Sequence, residues 1–362
     1  MISRGDVVEA YQKLLHRLPE SEDVIRHHLS LHQEVAALEQ SLKASPEYNA
    51  LNPPEKARRS TPFSSVIASL LNGKSKTITA AELDWFISES DKLGPPATPP
   101  VEEFWKGMTY SPTTKVNQDL DPFSEEYVAQ QIAVYHEISG REIDQGKNEL
   151  TDFDLEVHVA AANPYAHHAP HGVAVHIGRV ARAIEYSGLG IDAHVLDMGC
   201  GWGTSTELMA FSGLRATGLD INPKFVELVN RRAARLGHKV DAVVGSFESI
   251  PGDTLYDAVL YYECLHHAIK PWETLSLVHS RLKPGGKLLL AGEPINDIWK
   301  HWGLRTDPLS VYCIRKYGWF ESGWSARFLT ACVERCGFKV THFGAEAGAI
   351  GWIMVAEKAT QR

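Results

Sequence analysis

Residues 194–207 read His-Val-Leu-Asp-Met-Gly-Cys-Gly-Trp-Gly-Thr-Ser-Thr-Glu, and this stretch restricts the fold more than any other. Residues 195–198 have the pattern of a short buried strand, and Thr204 opens a helical pattern. Between them, Gly199, Gly201 and Gly203 remove the β-carbons that would keep a ligand off the backbone. The free N–H groups and positive dipole end of the following helix then face whatever lies above the loop. Such a loop suits an anionic ligand group at the carboxyl end of a parallel sheet, so an α/β fold is expected.

The glycine spacing narrows the ligand. A dinucleotide-binding turn needs its third glycine at position 204, where this chain has Thr204; its third glycine is Gly203. Four more strand patterns follow. Residues 216–219 end in Asp220, and 242–244 lead to Gly245-Ser246-Phe247. Residues 256–261 lead into Tyr262-Glu263-Cys264-Leu265-His266-His267, and the turn Lys283-Pro284-Gly285-Gly286 precedes 287–291. Over roughly 160–358 this order resembles the class I S-adenosylmethionine-dependent methyltransferases. The resemblance implies a seven-stranded doubly wound sheet with an antiparallel last strand, and S-adenosyl-L-methionine as cofactor. It implies that Asp197, Gly199 and Gly201, with Gly203 completing the motif, lie near the methionine end of the cofactor. Asp220 would accept the ribose hydroxyls, Ile221 would lie against the adenine, and Ser246-Phe247 would stand at the adenine edge, where many relatives carry Asp. The last two strands, 338–343 and 352–357, are too close for a helical crossover and so pair antiparallel. A nicotinamide-binding fold would lack that pairing.

Methyl transfer asks a protein chiefly to hold the acceptor atom behind an activated methyl and to exclude water. A hydroxyl acceptor also benefits from a nearby base. Glu263, His266 and His267, at the end of the fourth strand, are the candidates. One histidine is expected over the carboxyl edge, while the other packs against the helix that begins near Pro271. No metal site is expected: His167 and His171 lack accompanying carboxylates, Pro170 argues against a shared helix face, and Cys332 and Cys336 read as buried thiols.

The rest of the chain is less specific. Its 362 residues suggest two domains, and a net charge of −9 argues against a nucleic-acid surface. No membrane span or signal peptide is seen, and five cysteines fit a reducing cytoplasm. Residues 1–50 are helical in pattern, with Val7, Tyr11, Leu14 and Leu15 at helical spacing and Val35, Leu38 and Leu42 on another face; His27 and His28 read as solvated. The string from Tyr11 through Leu14-Leu15-His16-Arg17-Leu18-Pro19 to Ala44-Ser45-Pro46-Glu47-Tyr48 resembles a short helical repeat attached to enzymes of surface-polysaccharide biosynthesis. A helical cap or homodimerisation arm is the alternative. Residues 51–122 read as a proline-rich linker with short helices at 64–71 and 80–90, and 123–362 as the methyltransferase domain. An insertion at 296–323 carries Trp299, Trp302, Trp319 and several cations, fitting either a lid over the acceptor or a packing segment. The expected activity is O-methylation of a sugar or polysaccharide precursor. A small secondary metabolite as acceptor, or a cofactor-binding protein without turnover, stands as the alternative.

Overall fold

The computed structural model describes residues 2–15, 19, 22–45, 76–96, 98–166, 169–297, 299–346 and 351–359. The chain divides into two compact units, 1–75 and 76–362. In the first, α1 (Arg4–Leu15), α2 (Glu22–Leu31) and α3 (Val35–Lys43) bury Val7, Tyr11, Leu14, Ile25, Leu38 and Leu42 in one cluster. His28 is not the solvated residue expected. Its Nε2 lies 2.8 Å from the Tyr11 hydroxyl, and its ring stacks on His32. The 46–48 end of the repeat-like string and the expected helix at 64–71 lie outside the described residues.

The second unit begins at Lys76, so the later part of the expected linker has a structure of its own. Strands β1 (Lys76–Ile78) and β2 (Met108–Tyr110) pair in parallel around α4 (Leu83–Leu93) and α5 (Pro99–Trp105). Proline is tolerated there because Pro99 sits in the first turn of α5, where its missing N–H is not needed. The indole of Trp105 donates to Ser90 at 2.8 Å, which closes this small aromatic layer. Helix α6 (Glu125–Ser139) follows, capped by Ser124 and ended by Gly140 at φ 67°. Two short helices come next, α7 (Gln145–Asn148) and α8 (Leu155–Ala160), and then α9 (Pro170–Ser187). Pro170 starts α9 rather than forbidding it, again as a first-turn proline, and His171 lies in that turn. His167 and His168 lie outside the described residues.

The remainder is the sheet and its cover. The elements are β3 (His194–Met198), α10 (Thr204–Phe211), β4 (Arg215–Asp220), α11 (Pro223–Leu236), β5 (Val240–Val244) and β6 (Tyr256–Tyr262). They continue with α12 (Pro271–Arg281), β7 (Leu282–Ala291), β8 (Trp302–Leu304), α13 (Pro308–Lys316) and β9 (Ser322–Trp324), then α14 (Ala326–Arg335), β10 (Phe338–Glu346) and β11 (Gly351–Lys358). Seven strands form one sheet in the order β10-β11-β7-β6-β3-β4-β5. The run from β7 to β5 is parallel, and β11 pairs antiparallel with both β7 and β10. The turn expected at 283–286 falls inside β7, because Leu282 already pairs with Tyr256 across an irregularity in β6. Central strands are apolar on both faces, as a doubly covered parallel sheet requires. Val195, Leu196, Val259, Leu260, Leu288 and Leu289 are fully buried. Among the described residues, no helix is long and apolar enough to cross a membrane.

The insertion 296–323 carries β8 and most of β9, which pair antiparallel. Trp302 and Trp324 are fully buried, and the Tyr127 hydroxyl of α6 donates to the Trp302 carbonyl at 2.6 Å. Its cations pair with protein carboxylates: Lys300 with Asp119, Arg305 with Asp307, Arg315 with Asp84 and Lys316 with Asp91.

Candidate active site

At the carboxyl edge of the sheet, between the ends of β3, β4 and β6, lies a cavity of about 440 Å³. The glycine loop forms its floor. Gly199 and Gly203 hold φ of 65° and 83°. A β-carbon at Gly203 would come within 2.7 Å of Val229 Cγ2, and one at Gly199 within 3.1 Å of Cys264 Sγ. The loop is therefore pressed against α11 on one side and the β6 edge on the other, and only glycine fits either place.

Asp220 closes the end of β4. Its carboxylate accepts from the Gly201 N–H and the Asn222 N–H, each at 2.8 Å, and lies in the cavity wall. Burial raises its pKa, while the backbone donors favour its charge. A carboxylate has about four acceptor sites, so two remain for a ligand's paired hydroxyls. Ile221, Ser246 and Phe247 line the same cavity beyond it. Asp197 is placed differently from the loop glycines. It is fully buried behind the loop, outside the cavity lining, and accepts from Ser205 and Thr206 hydroxyls at 2.6 Å. It ties the end of β3 to the first turn of α10. Burial pushes its carboxyl up to about 6, and one of its oxygens has no hydrogen-bond partner.

The three candidates after β6 separate. Glu263 has φ 51°, a left-handed backbone for a residue with a side chain, and lines the cavity. It is paired with Arg179 of α9, and His176 Nδ1 lies 3.4 Å from it. Burial opposes its charge, but His176 and Arg179 hold the carboxyl below its ordinary range. His266 turns away from the cavity into a buried carboxylate pair. Its Nδ1 lies 3.0 Å from Glu293, and its Nε2 lies 3.6 Å from Glu321. Burial works against the imidazolium, yet the two carboxylates raise its pKa. Glu293 also accepts from the backbone N–H groups of Cys264, Leu265 and His266, so it fixes the whole turn. Of the two adjacent histidines, His267 is the one that lines the cavity. Burial, then the neighbouring His266, lowers its pKa well below the ordinary value, leaving a neutral ring near pH 7. Although no metal site was expected, His266, His267 and Glu321 bring donor atoms within 4.8 Å of one another.

Of the residues from before β3, the sequence reading did not single out Glu149 and His176. Glu149, Tyr165 and His176 line the cavity, and Trp202 covers the loop. Trp202 stacks on His158 at 4.3 Å and meets Phe225 at 4.9 Å. The covering segment is strapped to α11. The Asn222 amide donates to the Thr151 carbonyl, and the buried Arg232 donates to the His158 and Ala161 carbonyls while pairing with Glu207. The one available signal was Arg232, a cation at a core-facing position of an amphipathic helix. Of the insertion's tryptophans, Trp319 is the one that reaches the cavity.

Residues 195–286 match the family model described as a methyltransferase domain. A ubiquinone biosynthesis O-methyltransferase of Xanthomonas axonopodis pv. citri is 38% identical over 101 residues, covering 27% of this chain and 42% of that protein. The protein of that name from Xanthomonas euvesicatoria is 36% identical over 121 residues, covering 32% and 48%. The chain thus spans less than half the length of these curated relatives. Among solved structures, an S-adenosylmethionine-dependent methyltransferase of Methanosarcina mazei is 21% identical, covering 49% of this chain and 98% of that one, with a TM-score of 0.42. The 1,6-didemethyltoxoflavin-N1-methyltransferase of Burkholderia thailandensis is 22% identical, covering 52% and 80%, also with a TM-score of 0.42. The glycine loop and strands β4 to β6 lie in the stretch that matches a methyltransferase domain, and the cofactor of such a domain is S-adenosylmethionine. The cavity fits that cofactor: a glycine floor that tolerates no side chain, a fixed carboxylate at the end of β4 and an apolar wall at Ile221 and Phe247.

Proposed function

We propose that the chain is an O-methyltransferase acting on a small hydroxylated acceptor, with an aromatic hydroxyl favoured over a sugar. The observation that carries this reading is a cavity-lining histidine, His267, in the same cavity as the glycine loop and Asp220. Gly199, Gly201, Asp220, Ile221 and Phe247 would hold the cofactor, which when bound supplies a methyl group activated by its sulfonium. The chain's own residues then have two tasks. Trp202, Tyr165 and Trp319 wall the cavity with aromatic surface that excludes water and receives a flat acceptor ring. His267 takes the hydroxyl proton as the oxygen becomes a nucleophile, and His266 and Glu293 hold the turn that presents it.

The surface-polysaccharide reading rested on the insertion and the N-terminal repeat. The cations of the insertion are occupied by Asp84, Asp91, Asp119 and Asp307, which leaves little to receive a glycan acid or phosphate. The relatives' names, in turn, speak of oxygen as the methylated atom. Labelled-methyl transfer tests the choice, with a panel of phenols, catechols, nucleotide sugars and glycan fragments. Transfer to phenolic oxygens is expected. Transfer confined to sugars would restore the glycan reading, and tight cofactor binding with no transfer to any class would favour a protein without turnover.

A further inference from the structure

Among the described residues, none of 76–122 lines the cavity, yet this layer holds the element that does. Asp84 and Asp91 stand two turns apart on α4, so they share a face, and both meet α13. Arg315 pairs with Asp84 at 2.6 Å. Asp91 accepts from the Tyr312 hydroxyl and from Lys316 Nζ, each at 2.5 Å, two donors one turn apart on α13. Trp105 of α5 lies against the Tyr312 ring at 5.5 Å, and the Tyr110 N–H of β2 donates to the Thr306 carbonyl at 2.9 Å. From α13 the contacts run on into the cavity. Gly318, at φ 84°, stops the helix with its N–H on the Cys313 and Ile314 carbonyls, and Trp319 is the next residue. Ring centroids step from Tyr312 to Tyr317 at 6.0 Å, from Tyr317 to Trp319 at 5.2 Å, and from Trp319 to the His267 imidazole at 5.9 Å. The Trp319 indole donates to the Asn148 carbonyl at 3.1 Å, and its ring lines the cavity.

We propose, on the reading of the Trp319 wall as the seat of a flat acceptor, that the layer at 76–122 is the specificity element of the acceptor pocket and that Asp91 is a positioning residue. Asp91 fixes the direction of α13 through Tyr312 and Lys316, and α13 sets where Trp319 stands in the wall. Asp91 and Trp319 both lie outside the matched stretch 195–286, so this wall is set by parts that the matched domain does not contain. Exposed ion pairs add little to overall stability, and the Asp91 side chain is 41% exposed. Its removal therefore leaves the fold standing and releases the helix end. The buried Tyr312 ring carries the displacement, because packed rings have discrete arrangements and do not yield gradually. A hydrophobic wall that shifts in this way changes which acceptor fits more than it changes the chemical step.

The full chain labelled with ¹⁵N-tryptophan tests this, because each indole N–H gives its own NMR signal and Trp319→Phe assigns the one that matters. In Asp91→Ala the Trp319 signal is expected to shift and its N–H to exchange faster with solvent, as the bond to the Asn148 carbonyl loosens. The Trp302 indole, bonded to the Pro122 carbonyl at 2.8 Å, is expected to stay in place. Tyr312→Phe keeps the ring and loses one donor to Asp91, and should move Trp319 in the same direction by less. With a phenol that the wild type methylates, Asp91→Ala should raise the acceptor KM by roughly tenfold at nearly constant kcat. An unmoved Trp319 signal in folded Asp91→Ala overturns the proposal. So does a shift shared equally by Trp302, the mark of general loosening, or a fall in kcat at constant KM. Should Asp91→Ala not fold, Tyr312→Phe decides by the same signals. Calorimetry with S-adenosylmethionine on the same samples separates the two failures. Intact cofactor binding with an unmoved Trp319 removes this role alone, whereas a wild type that binds no S-adenosylmethionine removes the methyltransferase reading and this role with it.

Discussion

Two adjacent histidines after β6 have opposite surroundings, and that difference sets what each substitution costs. His266 is sealed between Glu293 and Glu321, so His266→Ala should destabilise the protein by about 1–3 kcal/mol while Glu293 keeps its three backbone donors. Because the folded pKa of His266 is raised, its contribution is fully present below about 6.5 and is lost as pH rises through the folded value. The gap in melting temperature between wild type and His266→Ala should therefore narrow on going from pH 6 to alkaline pH, and a gap that widened would contradict this placement. His267→Ala should instead lower turnover by roughly 100-fold while cofactor affinity stays nearly constant. Asp220→Ala should weaken cofactor binding by about 1.5–3 kcal/mol, the scale of hydrogen bonds to a charged group, read by calorimetry. Glycine spacing and the acid at the end of β4 were legible in the sequence because backbone conformation leaves a mark on residue type. Which histidine faces the cavity was not, since Glu293 and Glu321 lie far along the chain and only folding brings them to His266.

Helix α11 shows what an element contributes beyond its apolar face. Its start and stop follow from Asn222, Pro223 and Gly237 alone. Its work in the site comes from Arg232, fully buried, which holds the carbonyls at 158 and 161 and the Glu207 carboxylate. Arg232→Met removes those donors and leaves buried carbonyls and a carboxylate unpartnered, a loss of about 3–5 kcal/mol by analogy with broken buried ion pairs. The covering segment at 145–166 should then become the first site of protease cleavage, with a fall in cofactor affinity. Unchanged proteolysis would mean that the segment is held by Trp202 and Phe225 instead. The strands of the sheet could be read from runs of buried residues, but the cover could not. Its helices are four and six residues long, below the length at which apolar periodicity speaks.

At the scale of the whole molecule, the sheet and its site lie within 76–362, and the helices of 1–45 bury their own cluster. A chain beginning at Lys76 should therefore bind S-adenosylmethionine as well as the full chain does. Loss of binding in a still-folded truncation would show that the first unit takes part in the site. The positions of the strands along the chain were legible because each strand end carries its own motif, whereas the role of residues 76–122 was hidden by prolines that turn out to occupy first turns and loops. The central claim, that the glycine loop and Asp220 serve S-adenosylmethionine and not a dinucleotide, is tested most directly by calorimetric titration of the full chain with each ligand. The expected result is saturable binding of S-adenosylmethionine at one site per chain, lost in Asp220→Ala, with no heat from NAD. Saturable NAD binding without S-adenosylmethionine binding would contradict it.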